Sequence, residues 1–128
     1  MERTRIYLDH AATSWPKPEA VYTAMDEYAR HSGAAAGRGS YLRAVEAGRR
    51  VTAARRAIAR LLQVTDERRI VFASNGTDAL NLAIHGLLRP GDHLVTTAAE
   101  HNSVLRPAAW LARHQGVQVT SVPCGLTG

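Results

Sequence analysis

The chain has 128 residues, 45% hydrophobic and 21% charged, with a formal net charge of +5, enough for one globular core. No apolar run nears the roughly 20 residues of a membrane span, the start MERTRIYLDH lacks an apolar leader, and a lone Cys124 forms neither an internal disulfide nor a thiolate metal cage. The positive charge is almost all arginine, five of them (Arg49, Arg50, Arg55, Arg56 and Arg60) in one helical stretch; with no aromatic series or zinc spacing beside them they read as a solvated face, so no nucleic-acid or membrane partner is expected and the cytoplasm is the expected compartment.

In chain order, residues 6–8 are short, apolar and β-prone, followed by the small and polar stretch 9–14. Pro18 suits the first turn of a helix in which Val21, Met25 and Tyr28 recur at helical spacing, ending before Gly33. The run GAAAGRG at 33–39 lacks the lysine and hydroxyl ending of a phosphate loop and reads as a mobile connection. A long helix follows, with Val51, Ala54, Ile58, Leu61 and Leu62 expected on its buried face. Beyond the turn 65–68 the pattern alternates. Residues 69–73, 93–97 and 117–122 read as strands, and the segments around Leu80, Ala83, Ile84 and Leu87 and around Leu105, Ala108, Leu111 and Ala112 read as helices. Strand, helix, strand, helix, strand with short turns predicts three parallel strands. Such a sheet leaves apolar edges and faces uncovered, so the chain reads as part of a larger domain.

Two segments carry candidate chemistry. Ser74-Asn75-Gly76-Thr77-Asp78 lies between an expected strand and its helix. Unpaired N–H groups at a helix start, a glycine that admits close approach and the Thr77 hydroxyl suit a phosphate. The same residues also suit simple capping, with Asn75 or Thr77 as the cap and Asp78 at the positive end. The second segment, Ala99-Glu100-His101-Asn102-Ser103, follows the next strand. Carboxyl ends of parallel strands share one rim, so Gly76, Thr77 and His101 should converge there. An imidazole at that rim suits stacking on an aromatic cofactor and proton transfer, or is a solvent-facing loop side chain. His31, His85, His93 and His114 show no metal-ligand spacing, and no metal is expected.

Three runs, YLDHAATSWPKPEAV, SNGTDALNLAIHGLL and PGDHLVTTAAEHNSVLRP, in this order, resemble the N-terminal portion of class V pyridoxal-phosphate enzymes, especially the cysteine desulfurase group. The resemblance implies an α/β architecture, the fold-type I pyridoxal-phosphate-dependent transferase of aspartate aminotransferase-like form. Within it, residues 1–40 supply the arm, first helix and loop, and residues 41–128 a helix plus a βαβαβ unit of an incomplete cofactor-binding large domain. It implies pyridoxal 5'-phosphate as cofactor, with Gly76 and Thr77 on its phosphate and His101 stacked on its ring as a catalytic proton-transfer residue. It further implies that His10, Ala11, Ala12 and Thr13 lie near the substrate, and that Arg38 approaches a neighbouring subunit's site.

The implied reaction converts L-cysteine to L-alanine and an enzyme persulfide, in a homodimer with a sulfur-acceptor protein as further partner. The family's Schiff-base lysine, the aspartate on the pyridine nitrogen and the persulfide cysteine all correspond to positions past Gly128. Lys17, the one lysine, reads as a solvated charge between two prolines, and Cys124 as a small buried residue. This chain alone is therefore expected to be inactive. Transamination, selenocysteine cleavage and cysteine-sulfinate cleavage share the phosphate and ring contacts and stay open, as does a non-catalytic fragment or interaction protein derived from the fold.

Overall fold

The first helix starts where proline permits one. In the computed structural model, which describes residues 6–125, Pro18 has φ −54° and precedes α1 (Glu19–Glu27), and Glu19 places a negative charge at the helix's positive end. One π-helical turn, Tyr28–Ser32, extends α1 and closes at Gly33, whose left-handed φ of 54° suits a residue without Cβ. The Tyr28 hydroxyl donates to the Ala34 carbonyl, and the Arg50 guanidinium lies 5.8 Å from the centre of the Tyr28 ring.

Helix α2 (Leu42–Leu61) buries Ala44, Ala47 and Ala59, while its arginines are mostly exposed. This corrects the expected apolar face. Val51 and Ile58 are only half-buried, Ala54 is exposed, and Leu61 and Leu62 stand open at the helix end, Leu61 with 80% of its surface exposed. Hydrophobic periodicity ranks large side chains first, yet the packed stripe here is built of alanines. The helix stops at Gln63, left-handed at φ 55°, where the Val64 N–H reaches back to the Ala59 carbonyl at 2.8 Å.

A 3₁₀ turn, Glu67–Arg69, follows, capped by the Asp66 carboxylate, which accepts from the Arg68 N–H at 3.0 Å and from its guanidinium at 2.9 Å. Arg56 of α2 reaches Glu67 at 3.2 Å and ties the turn to the helix. The Arg68 side chain holds the Asp66 carboxyl below the usual carboxylate range. Glu67 is lowered by its own backbone N–H and by Arg56, and Arg68 is raised by Asp66.

The described chain divides after Ile70 into two units. The second contains α3 (Gly76–Leu87), β1 (His93–Thr97), α4 (Asn102–Gln115) and β2 (Gln118–Val122). Strands β1 and β2 pair in parallel from His93↔Gln118 to Thr97↔Val122, and α4 is the crossover between them. The turn before β1 is held by the Asp92 carboxylate, which accepts from the Arg89 N–H at 2.7 Å, and Gly91 adopts φ +90°. Helix α4 ends at left-handed Gly116. It supplies the unit's core through Ala108 and Leu111, the latter fully buried; Leu105 is half-buried, and Ala112, expected to face inward, is exposed.

The expected strand at residues 69–73 does not join this ladder. Among the described residues the sheet has two strands, and residues 70–73 run on irregularly with Val71 and Phe72 exposed. A strand exists only through a neighbour's hydrogen bonds, and β-prone composition does not supply that neighbour. Cys124, expected buried, is exposed because it lies beyond β2 and the following Pro123. No helix among the described residues is long and apolar enough to cross a membrane.

Candidate functional site

The start of α3 is capped by Asn75. The Asn75 side-chain oxygen accepts from the Asp78 N–H at 2.8 Å, and its carbonyl accepts from the Ala79 N–H at 3.1 Å. The cap thus takes the third N–H of the helix. The N–H groups of Gly76 and Thr77, the first two, remain at the positive end, where an anion is favoured. Capping and anion binding, which compete as readings of the sequence, use different atoms. A Cβ placed on Gly76 would meet nothing within 4 Å.

The start of α4 is capped by a less usual residue. His101 accepts through Nδ1 from the Ser103 N–H at 3.1 Å, and the Ser103 Oγ lies 2.9 Å from the same nitrogen. A backbone N–H only donates, so Nδ1 carries the lone pair and the proton of the neutral imidazole sits on Nε2. The cap therefore fixes both the tautomer and the ring's orientation. Ser103 is 5% exposed, so the supporting group is shielded from competing water.

Thr77 and His101 line one cleft of about 620 Å³, together with Asn81, Ser103, Arg106 and Trp110. That volume falls in the range of small-molecule sites. Sequence reasoning expected the convergence because two adjacent strands would end on one rim. The structure brings Thr77 and His101 together through the packing of α3 on α4, while Gly76 is not among the residues that line the cleft, and the Asn81 side chain donates to the Thr77 carbonyl at 2.9 Å and to the Ser103 carbonyl at 3.4 Å. Asn81 and Ser103 are the residues that the sequence analysis missed. The available signals were an asparagine one turn after Thr77 and a serine two residues after the histidine.

The remaining candidates belong to the first unit. His10, Ala11, Ala12 and Thr13 form an exposed turn in which the Ala12 N–H reaches the Asp9 carbonyl at 3.2 Å. The Tyr7 hydroxyl lies 2.8 Å from the Thr13 carbonyl, and the Tyr7 ring meets His10 and Trp15 edge-on. Arg38 is exposed between Gly37 and Gly39, both at positive φ, and a Cβ on Gly39 would lie 2.8 Å from the Tyr41 ring. Lys17 donates through Nζ to the Ser14 carbonyl at 2.8 Å and lies 3.5 Å from the Thr13 hydroxyl. Three of the other histidines make local contacts: His93 with Thr120 across the ladder, His85 and His114 with the Trp110 ring.

The chain is similar to several cysteine desulfurases. It is 38% identical over 122 residues to a probable cysteine desulfurase of Methanothermobacter thermautotrophicus, a match covering 94% of this chain and 30% of the relative. It is 33% identical to the cysteine desulfurase CsdA of Escherichia coli, covering 92% of this chain and 30% of that protein. The apo structure of the cysteine desulfurase from Thermococcus onnurineus NA1 superposes with a TM-score of 0.77 at 33% identity, covering 91% of this chain and 29% of that one. The chain thus spans about 30% of the length of the curated relatives it matches, and over that portion it has the α/β architecture of fold-type I pyridoxal-phosphate enzymes. The family model for class V aminotransferases matches residues 6–128, and the chain belongs to that family.

Proposed function

We propose that the full-length protein carrying this chain is a pyridoxal-phosphate-dependent cysteine desulfurase. The observation that carries the reading is the cleft shared by Thr77, at the first turn of α3, and His101, at the cap of α4. The donor set suits the cofactor's two ends. The Gly76 and Thr77 N–H groups and the Thr77 hydroxyl would hold its phosphate, and the His101 imidazole would lie against its ring. When bound, the cofactor supplies an electron sink for bonds at the α-carbon of an amino acid. No lysine lines the cleft, and the chain's one lysine, Lys17, belongs to the first unit, where its Nζ donates to the Ser14 carbonyl.

In this reading the chain binds, orients and moves protons but does not complete the site. His101, with Nδ1 committed to Ser103, offers the Nε2 proton to substrate atoms. A cysteine thiolate elsewhere in the protein takes the substrate sulfur as a persulfide, and the substrate's thiol hydrogen ends on the methyl group of alanine, so no oxidant is needed. Residues His10 to Thr13 approach the substrate and Arg38 the neighbouring subunit of a homodimer. Residues 1–40 act as the arm and residues 41–128 as part of the cofactor-binding large domain. The protein works in the cytoplasm and passes its sulfur to an acceptor protein.

The names of the relatives favour desulfuration over the other reactions of the class. The test incubates the full-length protein with L-cysteine and a reductant and measures alanine and sulfide together. Equal amounts of the two are expected. Keto-acid-dependent amino transfer without sulfide would sink the desulfurase assignment while leaving the cofactor site standing.

A further inference from the structure

Asn81 joins the two halves of the cleft. Its side-chain nitrogen lies 2.9 Å from the Thr77 carbonyl oxygen and 3.4 Å from that of Ser103. Both partners are carbonyls, which only accept. The two hydrogens of one NH₂ group serve them both, and the opposite orientation of the amide would set oxygen against oxygen. Thr77 is the proposed phosphate ligand. Ser103 is buried and holds His101 Nδ1 through its own N–H and hydroxyl. One amide therefore spans from the residue placed on the phosphate to the residue that orients the imidazole, across 22 positions of sequence.

We infer that Asn81 is a positioning residue, which sets the separation and angle between the Thr77 turn and the His101 ring through the Ser103 carbonyl. This rests on the cleft reading above. Both hydrogen bonds of its side chain go to backbone carbonyls, those of Thr77 and Ser103, so it acts through its neighbours. A ring held by its α4 cap alone would keep its tautomer but lose its register to α3. A displacement of about 1 Å in such a pair costs on the order of 10²-fold in rate.

Two substitutions probe the clasp in the full-length, cofactor-loaded protein. Asn81→Asp keeps size and shape but sets a carboxylate against two carbonyls. Asn81→Ala removes both donors at a helical position that alanine suits, and reads the same quantity should the aspartate variant not accumulate. Each is made in the wild-type and in the His101→Ala background, and kcat, KM and the cofactor absorbance spectrum are recorded. Hydrogen exchange over residues 102–105 is measured on the cofactor-free protein.

In the wild-type background kcat should fall about 10- to 100-fold, with little change in KM, a shifted spectrum and faster exchange at the start of α4. In the His101→Ala background the Asn81 substitutions should change kcat less than about twofold, because a residue that acts through the imidazole has nothing left to position. An equal fall in both backgrounds, or none in either, overturns the clasp and leaves the cleft reading standing. If Thr77→Ala and His101→Ala themselves leave cofactor retention, spectrum and rate unchanged, the cleft reading falls and the clasp with it.

Discussion

His101 is the cap of α4, and the proton-transfer role proposed for it separates from that structural role by substitution. As the cap of α4 its Nδ1 accepts the Ser103 N–H, a contact of the kind whose loss costs about 1 kcal/mol of stability. Asparagine caps as well as any residue, so His101→Asn should keep the α4 start intact while removing the imidazole. His101→Ala should lose both. Denaturant midpoints and cofactor spectra of the two full-length variants check this: similar spectra and turnover losses are expected, with lower stability in the alanine variant only. Thr77→Ala acts differently, because alanine is the better helix former and the cap is Asn75. Removing a hydrogen bond to a charged acceptor, worth about 1.5 to 3 kcal/mol, should weaken cofactor retention about tenfold or more without loss of fold, as dialysis followed by absorbance would show. Residue types in the sequence identify Thr77 and His101 as candidates. They do not reveal that His101 is a cap, because histidine is an uncommon one, and Asn81 is hidden as a polar break in the apolar face formed by Leu80, Ala83 and Ile84.

Elements held by local rules are the legible ones. Pro18 before α1, Gly33 and Gly116 after their helices, and the Pro90-Gly91-Asp92 turn all lie where backbone chemistry requires. The face of α2 and the first expected strand are not legible, because both depend on what packs against them. The 3₁₀ turn that follows α2 depends instead on charge: Asp66 caps it and Arg56 holds Glu67. Both carboxyls titrate below their ordinary values of 3.8 and 4.5. A depressed folded value means the contribution is fully present above the unfolded value and is lost as pH falls through the folded one. The turn should therefore be insensitive to pH from neutral down to about 5 and loosen below the ordinary carboxylate range. Amide exchange of Arg68, whose N–H is bound by Asp66, should rise in that acid window relative to its intrinsic rate. Asp66→Asn should remove most of the pH dependence; an unchanged acid profile in that variant would assign the loosening to other groups.

At the scale of the molecule, the parallel pair β1 and β2 is smaller than its composition demands. Val95 and Val122 are exposed, and β2 is open along its whole length, whereas parallel sheets are ordinarily covered on both faces. Family membership and fold class were legible because three runs of the sequence carry them in order. The extent of the sheet was not, because a ladder needs partners that periodicity does not supply. The same reasoning bears on cofactor attachment. The two N–H groups and hydroxyl at the start of α3 suit a phosphate, and His101 faces the same cleft, but covalent capture needs an amine. Lys17 Nζ, the only side-chain amine, donates to the Ser14 carbonyl in a separate unit of the chain. Pyridoxal phosphate mixed with the 128-residue chain and reduced with borohydride should accordingly leave Lys17 with no more than sparse surface labelling by peptide mass spectrometry. Free phosphate should not alter that background, because the labelling does not pass through the α3 site. Stoichiometric labelling of Lys17 that phosphate suppresses would place the arm's amine at the phosphate turn and overturn the assignment of the aldehyde to a lysine elsewhere in the protein.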